Sequence, residues 1–451
     1  MNKLTFLNHA SYIVETESSL LIVDPWVEGY AFDKGWALLD KSTTNEKLIN
    51  LISASKKDIY IWLSHEHSDH FSVPFLMTLK KSSLHVKFFF QRTIDRRVAN
   101  FIKNLGFDVV ESNDTKEIID TELSIVTFPF TDGDSYCLII SKEFSILNIN
   151  DCVIKDKASA KSVMSNIKKY TIGIDLLLTQ FGYANWLGNP DQKELRISSA
   201  GEKLTRIKLQ IEQFKPKYII PFASFIYFCH KENFHTNDNQ NTPEDVKDFF
   251  NRNNLDSKLI VVKPMDKLDL LQNLSLQSSN FNQINIQHWN TLISKIKPHY
   301  LEDKLYSKSE IVNEYNLYKK KIFMSFLFAP FILEKLKLIT PIQIYIHDLD
   351  INLSLSYVKG IKISPGKRND ADIGVSSSTM IFTLKNDYGM NTTHVNGKLI
   401  CLSDNGIQKF IKHFSLQEHM KKGYGIKHPF LTLLIILKKI LYKFKLKKMN
   451  Y

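Results

Sequence analysis

Residues 63 to 72 read LSHEHSDHFS, which sets His65, His67, Asp69 and His70 within six residues. Imidazoles and carboxylates are the donors that transition metals take in hydrolytic sites. Such groups have little to offer a packed core, because each costs free energy when buried without a partner. In a loop, His65 and His67 converge on one ion while Asp69 and His70 turn toward a second beside it. Two adjacent ions share a water and lower its pKa, which supplies a nucleophile near neutral pH. Asp69 then has a catalytic role as well, orienting that nucleophile or taking a proton from it. The chemistry expected is hydrolysis of a phosphoester, lactone or amide-like bond. Zinc is the expected cofactor, as one ion or two, with iron or manganese as alternatives.

These ligands need a rigid support. The apolar run 59 to 63 reads as the strand that delivers them. Upstream, KLTFL, SYIVET and LLIVD read as short strands, the third ending at Asp24. The loop that follows carries Trp26, Tyr30, Phe32 and Trp36, and aromatic loops beside a site shape substrate pockets. Trp36 is the expected substrate contact there. Helices over 43–55, 73–81 and 91–106 alternate with strands over 85–90 and at FDVVE, which predicts layered α/β architecture. Further strands cover 123–128, 135–140 and 144–151, the last ending in Asp151, placed to bridge the two ions from a facing strand. After a helix over 156–169 and a strand over 174–181, a long helix spans 191–214. The strand-then-loop 217–225 leads to His230 and His235, and strands at 258–264 and 267–270 follow. Several strands thus end in metal-capable residues, as a site at a common sheet edge requires.

The remainder differs in texture. Residues 271–286 are rich in Asn, Gln and Ser with no clear period, and read as a linker. Residues 287–451 read as an α+β accessory domain, with helices over 287–297 and 307–337. IQIYIHDL, LSLSYV, IKIS, DIGVSSS and TMIFTLKND read there as strands, and no catalytic constellation is apparent. The whole length of 451 residues favours two domains. Its four cysteines contain no CxxC pair, which excludes a zinc ribbon or thioredoxin-type site. Without the layout of a secretory leader, a cytoplasmic setting is expected. The net charge is +12, yet residues 421–451 hold nine lysines and no acid, so the rest is close to neutral. That distribution argues against a nucleic-acid partner. The tail over 428–451 is apolar and basic. Its run of eight apolar-rich residues, 430–437, falls well short of the ~20 that span a bilayer. It is expected to lie as an interfacial helix at the inner face of a membrane, drawn to anionic lipid.

SHEHSDHFS is similar to the HxHxDH signature of the metallo-β-lactamase superfamily. FLNHASYIVET with LLIVDPW resembles the opening strands of its lactonase-like and phosphodiesterase-like members. DPWVEGYAFDKGWALL, IYIWLSHEHSDHFSVPFL, DSYCLIISKEFSILNINDC, IDLLLTQFGY and KPKYIIPFASFIYFCHKENFH resemble the metal-binding module of the CMP-N-acetylneuraminate hydroxylases, in collinear order over about residues 3 to 270. The resemblance implies a four-layer αββα sandwich over 1–270. It implies His65, His67, Asp69 and His70 as metal ligands and Asp151 as the bridging acid. Two positions depart from the pattern. Phe130, Thr131 and Asp132 stand where the third ligand histidine belongs, leaving Asp134 or Asp132 to substitute. Phe222, Ala223 and Ser224 stand where the final histidine belongs, leaving His230 or His235. His230 is taken as the ligand and His235 as a substrate contact. Lys34, Arg196 and Lys231 are candidate anion contacts.

The resemblance favours a small-molecule substrate, a nucleotide sugar or phospholipid. The hydroxylases also carry an iron–sulfur module that needs paired Cys and His ligands. No such set occurs in this chain, so it is not expected to hydroxylate by itself. Two alternatives to the hydrolase follow. One is a metal-dependent oxygenase component, acting on a CMP-sialic-acid-like nucleotide sugar with a separate electron donor. The other is a non-catalytic, metal-stabilised scaffold.

Overall fold

The computed structural model describes residues 2–299, 303–426, 428–430, 432–433 and 437, without the side chains of 275, 276 and 278–280. The chain divides into two compact units. The first comprises residues up to 184 with 193–229 and 234–298; the second comprises 185–192, 230–233 and the chain from 299 onward.

In the strand Ser19–Val23, Leu21 and Val23 enter one apolar core while Leu20 and Ile22 enter another. The strand Ser11–Glu15 divides likewise, Tyr12 and Val14 against Ile13. A period of two sends alternate side chains to opposite faces, so this sheet has to be covered on both sides. It has seven strands, in the order Lys267–Asp269, Lys3–Asn8, Ser11–Glu15, Ser19–Val23, Asp58–Leu63, Val86–Phe90 and Asp108–Glu111. Helices Asn45–Ala54, Val73–Lys81 and Arg97–Asn104 cover one face with Leu48, Ile52, Phe75, Leu79, Val98 and Ile102. The other face meets a second seven-stranded sheet, where Trp62 and Phe89 share a core with Val126, Phe128 and Leu138. Trp62 Nε1 donates to Thr127 Oγ1 at 2.9 Å across that interface.

The second sheet runs Lys258–Leu259, Tyr218–Phe222, Leu176–Gln180, Ser145–Asn150, Ser135–Ile140, Ser124–Pro129, Lys116–Ile118. Helices Lys157–Ile167 and Lys193–Phe214 pack against it through Val163, Ile167, Leu204 and Ile207. The result is the expected four-layer αββα sandwich.

The expectation of a linker over 271–286 is corrected. Residues Leu274–Ile293 form one helix. The helical period was hidden because amides carry it. Asn282 Oδ1 accepts from Val261 N at 2.7 Å, and its Nδ2 donates to Leu259 O at 2.8 Å. Three residues on, Asn285 Nδ2 donates to Val261 O at 2.8 Å. Side-chain amides thus satisfy backbone groups at and beside the strand at one end of the second sheet, a need that apolar residues cannot meet. Trp289 completes this face of the helix, buried and stacked on Phe225 with ring centroids 4.0 Å apart.

The second unit holds a five-stranded sheet, Gly360–Pro365, Ile351–Ser356, Ile342–Ile346, Ile373–Val375 and Ile400–Cys401. The helix Lys308–Phe326 buries Ile311, Tyr315, Tyr318 and Ile322 in its core. TMIFTLKND, read as a strand, lies largely in the helix Ser377–Lys385. Ser376 caps this helix by accepting from Thr379 N, and Met380, Ile381 and Leu384 are buried at helical spacing. The tail expected to form an interfacial helix lies mostly outside the described residues. No helix among the described residues is long and apolar enough to cross a membrane.

His413 makes the core of the second unit sensitive to acid. Its ring stacks on Tyr357, and Nδ1 donates to Thr340 O at 2.9 Å. Burial pushes the imidazole down from 6.5 to about 4. The unfolded chain takes up this proton at ~6.5, so the stability is fully present above that pH and is lost as pH falls toward 4. The full loss is about 3 kcal/mol. In His413→Phe, the urea midpoint of this unit is expected to depend less on pH between 7 and 4.5. An equally steep loss in the variant would show that other groups carry the acid sensitivity.

Candidate metal centre

Strand pairing brings the candidate residues to one edge. Ser19–Val23 runs parallel to Asp58–Leu63 with Val23 opposite Trp62, so the two strands end together. Asp24 and Ser64 are therefore neighbours. Ser64 N donates to Asp24 Oδ1 at 2.8 Å, and Ser64 Oγ donates to Asp24 Oδ2 at 2.7 Å. From the facing sheet, Ser145–Asn150 ends at the same place, and Asn150 Nδ2 donates to Asp24 Oδ2 at 2.7 Å. The site thus lies at the carboxyl ends of parallel strands. His9, Asp24 and Asn150 turn there with φ of 39°, 40° and 54°. These three residue types tolerate the left-handed region better than others.

Hydrogen bonds around the buried Asp24 set how the imidazoles face. His70 Nδ1 donates to Asp24 Oδ2 at 2.9 Å. Its Nε2 then faces Asp69 Oδ2 at 3.2 Å and Asp151 Oδ2 at 3.4 Å. Ser64 Oγ gives its proton to Asp24 and so accepts from His65 Nδ1 at 2.9 Å. That leaves the lone pair of His65 Nε2 directed away from Asp24, 2.9 Å from His67 Nδ1. The same Nε2 is 3.9 Å from both Asp134 Oδ1 and Asp151 Oδ2. His9 Nε2 lies 3.3 Å from Asp69 Oδ2. Three donor sets result: His65, His67 and Asp134; His65, His70 and Asp151; His9, Asp69 and His70.

The electrostatics match a place built for a cation. His70 Nε2 and Asp69 Oδ1 are buried and have no hydrogen-bond partner among the described residues. Burial opposes charge on His70, but Asp69, Asp151 and Asp24 outweigh it and hold its pKa well above the ordinary value. Burial likewise pushes Asp69 and Asp151 up. His70 overcomes this, with His9 helping at Asp69, holding Asp69 well below the usual range and Asp151 at about 2. Burial keeps Asp134 raised despite His65, and Asp151 adds to the rise. Four carboxyl groups, Asp24, Asp69, Asp134 and Asp151, thus crowd a space shared with the imidazoles of His9, His65 and His70. Asp134 and Asp151, each 19% exposed, form the open side.

A second layer holds the loops in place. Ser135 Oγ and Gln91 Nε2 donate to Ser64 O at 2.5 and 3.2 Å, and Gln91 Nε2 also donates to Gly133 O at 2.5 Å. These bonds tie the 131–135 loop, and with it Asp134, to the histidine loop. Gln180 Nε2 donates to Asp151 Oδ1 at 3.1 Å, and Lys203 Nζ donates to Gln180 Oε1. The amide of Gln180 is thereby oriented with its donor toward Asp151.

Two facing mixed sheets, with an HxHxDH loop and a facing-sheet acid at one edge, decide the fold. It is the metallo-β-lactamase fold. No family model matches the chain. The CMP-N-acetylneuraminic acid hydroxylase of Danio rerio is 24% identical over 297 residues, 61% of this chain and 47% of that protein. The hydroxylase of Asterias rubens is 23% identical over 291 residues, 59% of this chain and 42% of that protein. The chain thus spans about half the length, or less, of these curated relatives. Among solved structures, the metallo hydrolase Igni18 of Ignicoccus hospitalis covers 59% of this chain and 97% of its own, at 17% identity and TM-score 0.40. The diiron β-hydroxylase CmlA of Streptomyces venezuelae covers 60% of this chain and 54% of its own, at 13% identity and TM-score 0.41.

The other candidates read from the sequence have these surroundings. His230 lies in the second unit, fully buried, with Nε2 2.9 Å from Asp303 Oδ2 and Nδ1 accepting from Glu232 N at 3.2 Å. His230 is in none of the donor sets among the described residues. His235 lies in the 3-10 segment Phe234–Asn239 of the first unit. Trp36 is 2% exposed, packed on Phe32 and Phe228 at 4.5 and 5.5 Å. Phe32 in turn stands 5.6 Å from His67, so Trp36 reaches the site through Phe32. Arg196 is buried against Asp238 at 2.7 and 3.0 Å, which commits its guanidinium to structure. Sequence reasoning missed His9. The available signal was a histidine in the turn between two apolar strands, at the sheet edge where Asp24 ends its own.

Proposed function

We propose that the first unit is a metal-dependent hydrolase acting on a phosphoester, lactone or amide-like bond of a small molecule. The observation that carries this reading is the convergence of His65, His67, Asp134, His70, Asp151, Asp69 and His9 around buried donor atoms that lack hydrogen-bond partners. His65, His67 and Asp134 would hold one ion, His9, Asp69 and His70 a second, with Asp151 between them. Zinc suits this mixture of imidazole and carboxylate, and iron or manganese is the alternative. A bound divalent ion supplies a water of lowered pKa and polarises the scissile carbonyl or phosphoryl oxygen.

The chain's own groups do the rest. Asp24 and Ser64 keep His70 and His65 in the tautomers that direct Nε2 away from them. Asp69, whose Oδ2 faces His9 Nε2 and His70 Nε2, would orient the nucleophile or take a proton from it. Phe32 packs against the half-buried His67, and Trp26 against the buried His9. The open side at Asp134 and Asp151 admits substrate. A nucleotide sugar or phospholipid in a cytoplasmic setting belongs to the same proposal.

Purified protein is expected to carry about one to two equivalents of transition metal. The double variant His65→Ala with His67→Ala is expected to lose most of it and to lose phosphodiesterase, lactonase and amidase activity together. Full metal retention in that variant would sink the ligand assignment. A metal-replete protein inert on all three bond types would sink the hydrolase. The names of the curated relatives favour a second reading, an oxygenase component supplied with electrons by another protein. One iron per chain, with oxygen uptake that needs an external reductant, would select it.

A further inference from the structure

Exposed apolar side chains are not spread evenly over the second unit. Met324, Leu327, Phe328, Phe331 and Ile332 are all exposed within nine consecutive residues, Phe328 at 77% and Met324 at 64%. They sit on a corner. The helix Lys308–Phe326 ends at Leu327, which turns with φ 52°, and the helix Ala329–Lys335 follows at once. The inner sides of both helices, with Ile322, Phe326 and Leu333, are used up in the core. The outer side of the corner carries the exposed side chains, and an apolar patch of this kind marks an interaction surface.

Its charge says which kind. Residues 319–337 contain five lysines and one acid, Glu334. Glu334 is turned inward, accepting from Ser356 Oγ at 2.5 Å and Tyr357 N at 2.6 Å. Lys321 pairs with Asp387. Lys320, Lys335 and Lys337 are exposed beside the patch, and the ammonium of Lys335 lies 5.6 Å from the Phe331 ring centre. Lysines that lay their stems along an apolar surface and keep their heads at its rim suit an interface between hydrocarbon and phosphate.

The start of the C-terminal tail meets the same corner. Ile426 N donates to Ser325 O at 2.9 Å, and Gly425 approaches that carbonyl so closely that a Cβ would lie 2.4 Å from it. Ile426 and Phe430 are exposed, at 56% and 83%. From here the sequence continues to Tyr451 with lysines, apolar residues and no acid. Two features 100 residues apart in sequence, an apolar corner and a basic apolar tail, are thus joined at Ser325.

We propose that this corner docks the protein on an anionic lipid surface, with Leu327 and Phe328 entering the acyl boundary and the lysines meeting headgroup phosphates. A second copy of the chain fits less well, because pairing this face with itself sets lysines against lysines.

The test uses the full chain and vesicles of equimolar phosphatidylserine and phosphatidylcholine, with pure phosphatidylcholine vesicles alongside. The wild type is expected to sediment with the anionic vesicles, and to be released from them by high salt. Leu327→Glu with Phe328→Glu is expected to weaken that binding about tenfold or more, and Lys335→Glu with Lys337→Glu to weaken it several-fold. Unchanged metal content and an unchanged melting temperature would show that both variants are folded. Wild type that ignores anionic vesicles overturns the proposal. So does full binding by the Leu327 and Phe328 variant. A wild-type dimer that the same variant converts to monomer would assign the corner to a second copy and overturn it equally.

Discussion

Asp24→Ala is expected to weaken zinc binding by about 10- to 100-fold without removing a single proposed metal ligand. Asp24 is fully buried and accepts from Ser64 N, Ser64 Oγ, His70 Nδ1 and Asn150 Nδ2 at 2.7 to 2.9 Å. Alanine leaves those four donors unpaired in a place water does not reach. His70 then loses what holds its Nδ1 proton and directs its Nε2, and Ser64 loses the acceptor that makes it receive from His65. Removing one partner of a buried charged pair also costs about 3–5 kcal/mol. Asp24→Asn preserves volume but puts an NH2 among donors, so it should recover little. A competing-chelator titration reads the affinity, and urea unfolding in excess chelator reads the stability apart from metal. Zinc affinity within twofold of wild type in Asp24→Ala would refute the orienting role.

The second large effect lies far from the metals. Trp289→Ala should destabilise the first unit by about 3–5 kcal/mol, the range for emptying a buried aromatic site. Trp289 is fully buried, stacks on Phe225, and donates from Nε1 to Val262 O at 2.8 Å. Phe225 continues the contact to Phe181 and Phe6 at 5.3 and 5.6 Å, so the helix Leu274–Ile293 closes the core of the sandwich. A residue of a separate accessory domain, as expected for the helix over 287–297, would change the stability of the first unit by less than about 0.5 kcal/mol. The urea midpoint, read with an unchanged slope, distinguishes the two. A cost below that threshold would return Trp289 to the accessory domain.

Some of this was legible from local pattern and some was not. The central strands of the first sheet, Ser19–Val23 and Asp58–Leu63, announce themselves because they are apolar on both faces, which a two-sided burial demands. The helix Leu274–Ile293 was not legible because Asn282 and Asn285 occupy its inner face, and asparagine in a sequence window signals turns rather than packing. The helix Ser377–Lys385 was misread because Thr379, Ile381, Phe382 and Thr383 favour strands by propensity. Ser376 and the packing of Met380 and Leu384 overrode it.

The centre itself divides along the same line. His65, His67, Asp69 and His70 were determined by the sequence alone as a cluster, because six residues of chain cannot carry them far apart. Asp24 and Asp151 were partly determined, since each ends an apolar strand. Which distant residues join them was decided only by the tertiary structure. His9 arrives because the two sheets stack with their carboxyl edges aligned, and Asp134, already a candidate on the resemblance, is brought in by the 131–135 loop pinned to Ser64. His230, equally eligible by type, lies beside Asp303 within the second unit. Ligand chemistry is a property of the side chain and can be read from a string of letters. Convergence depends on which strand ends share an edge, which follows from sheet order and stacking and is written in no single stretch of the chain.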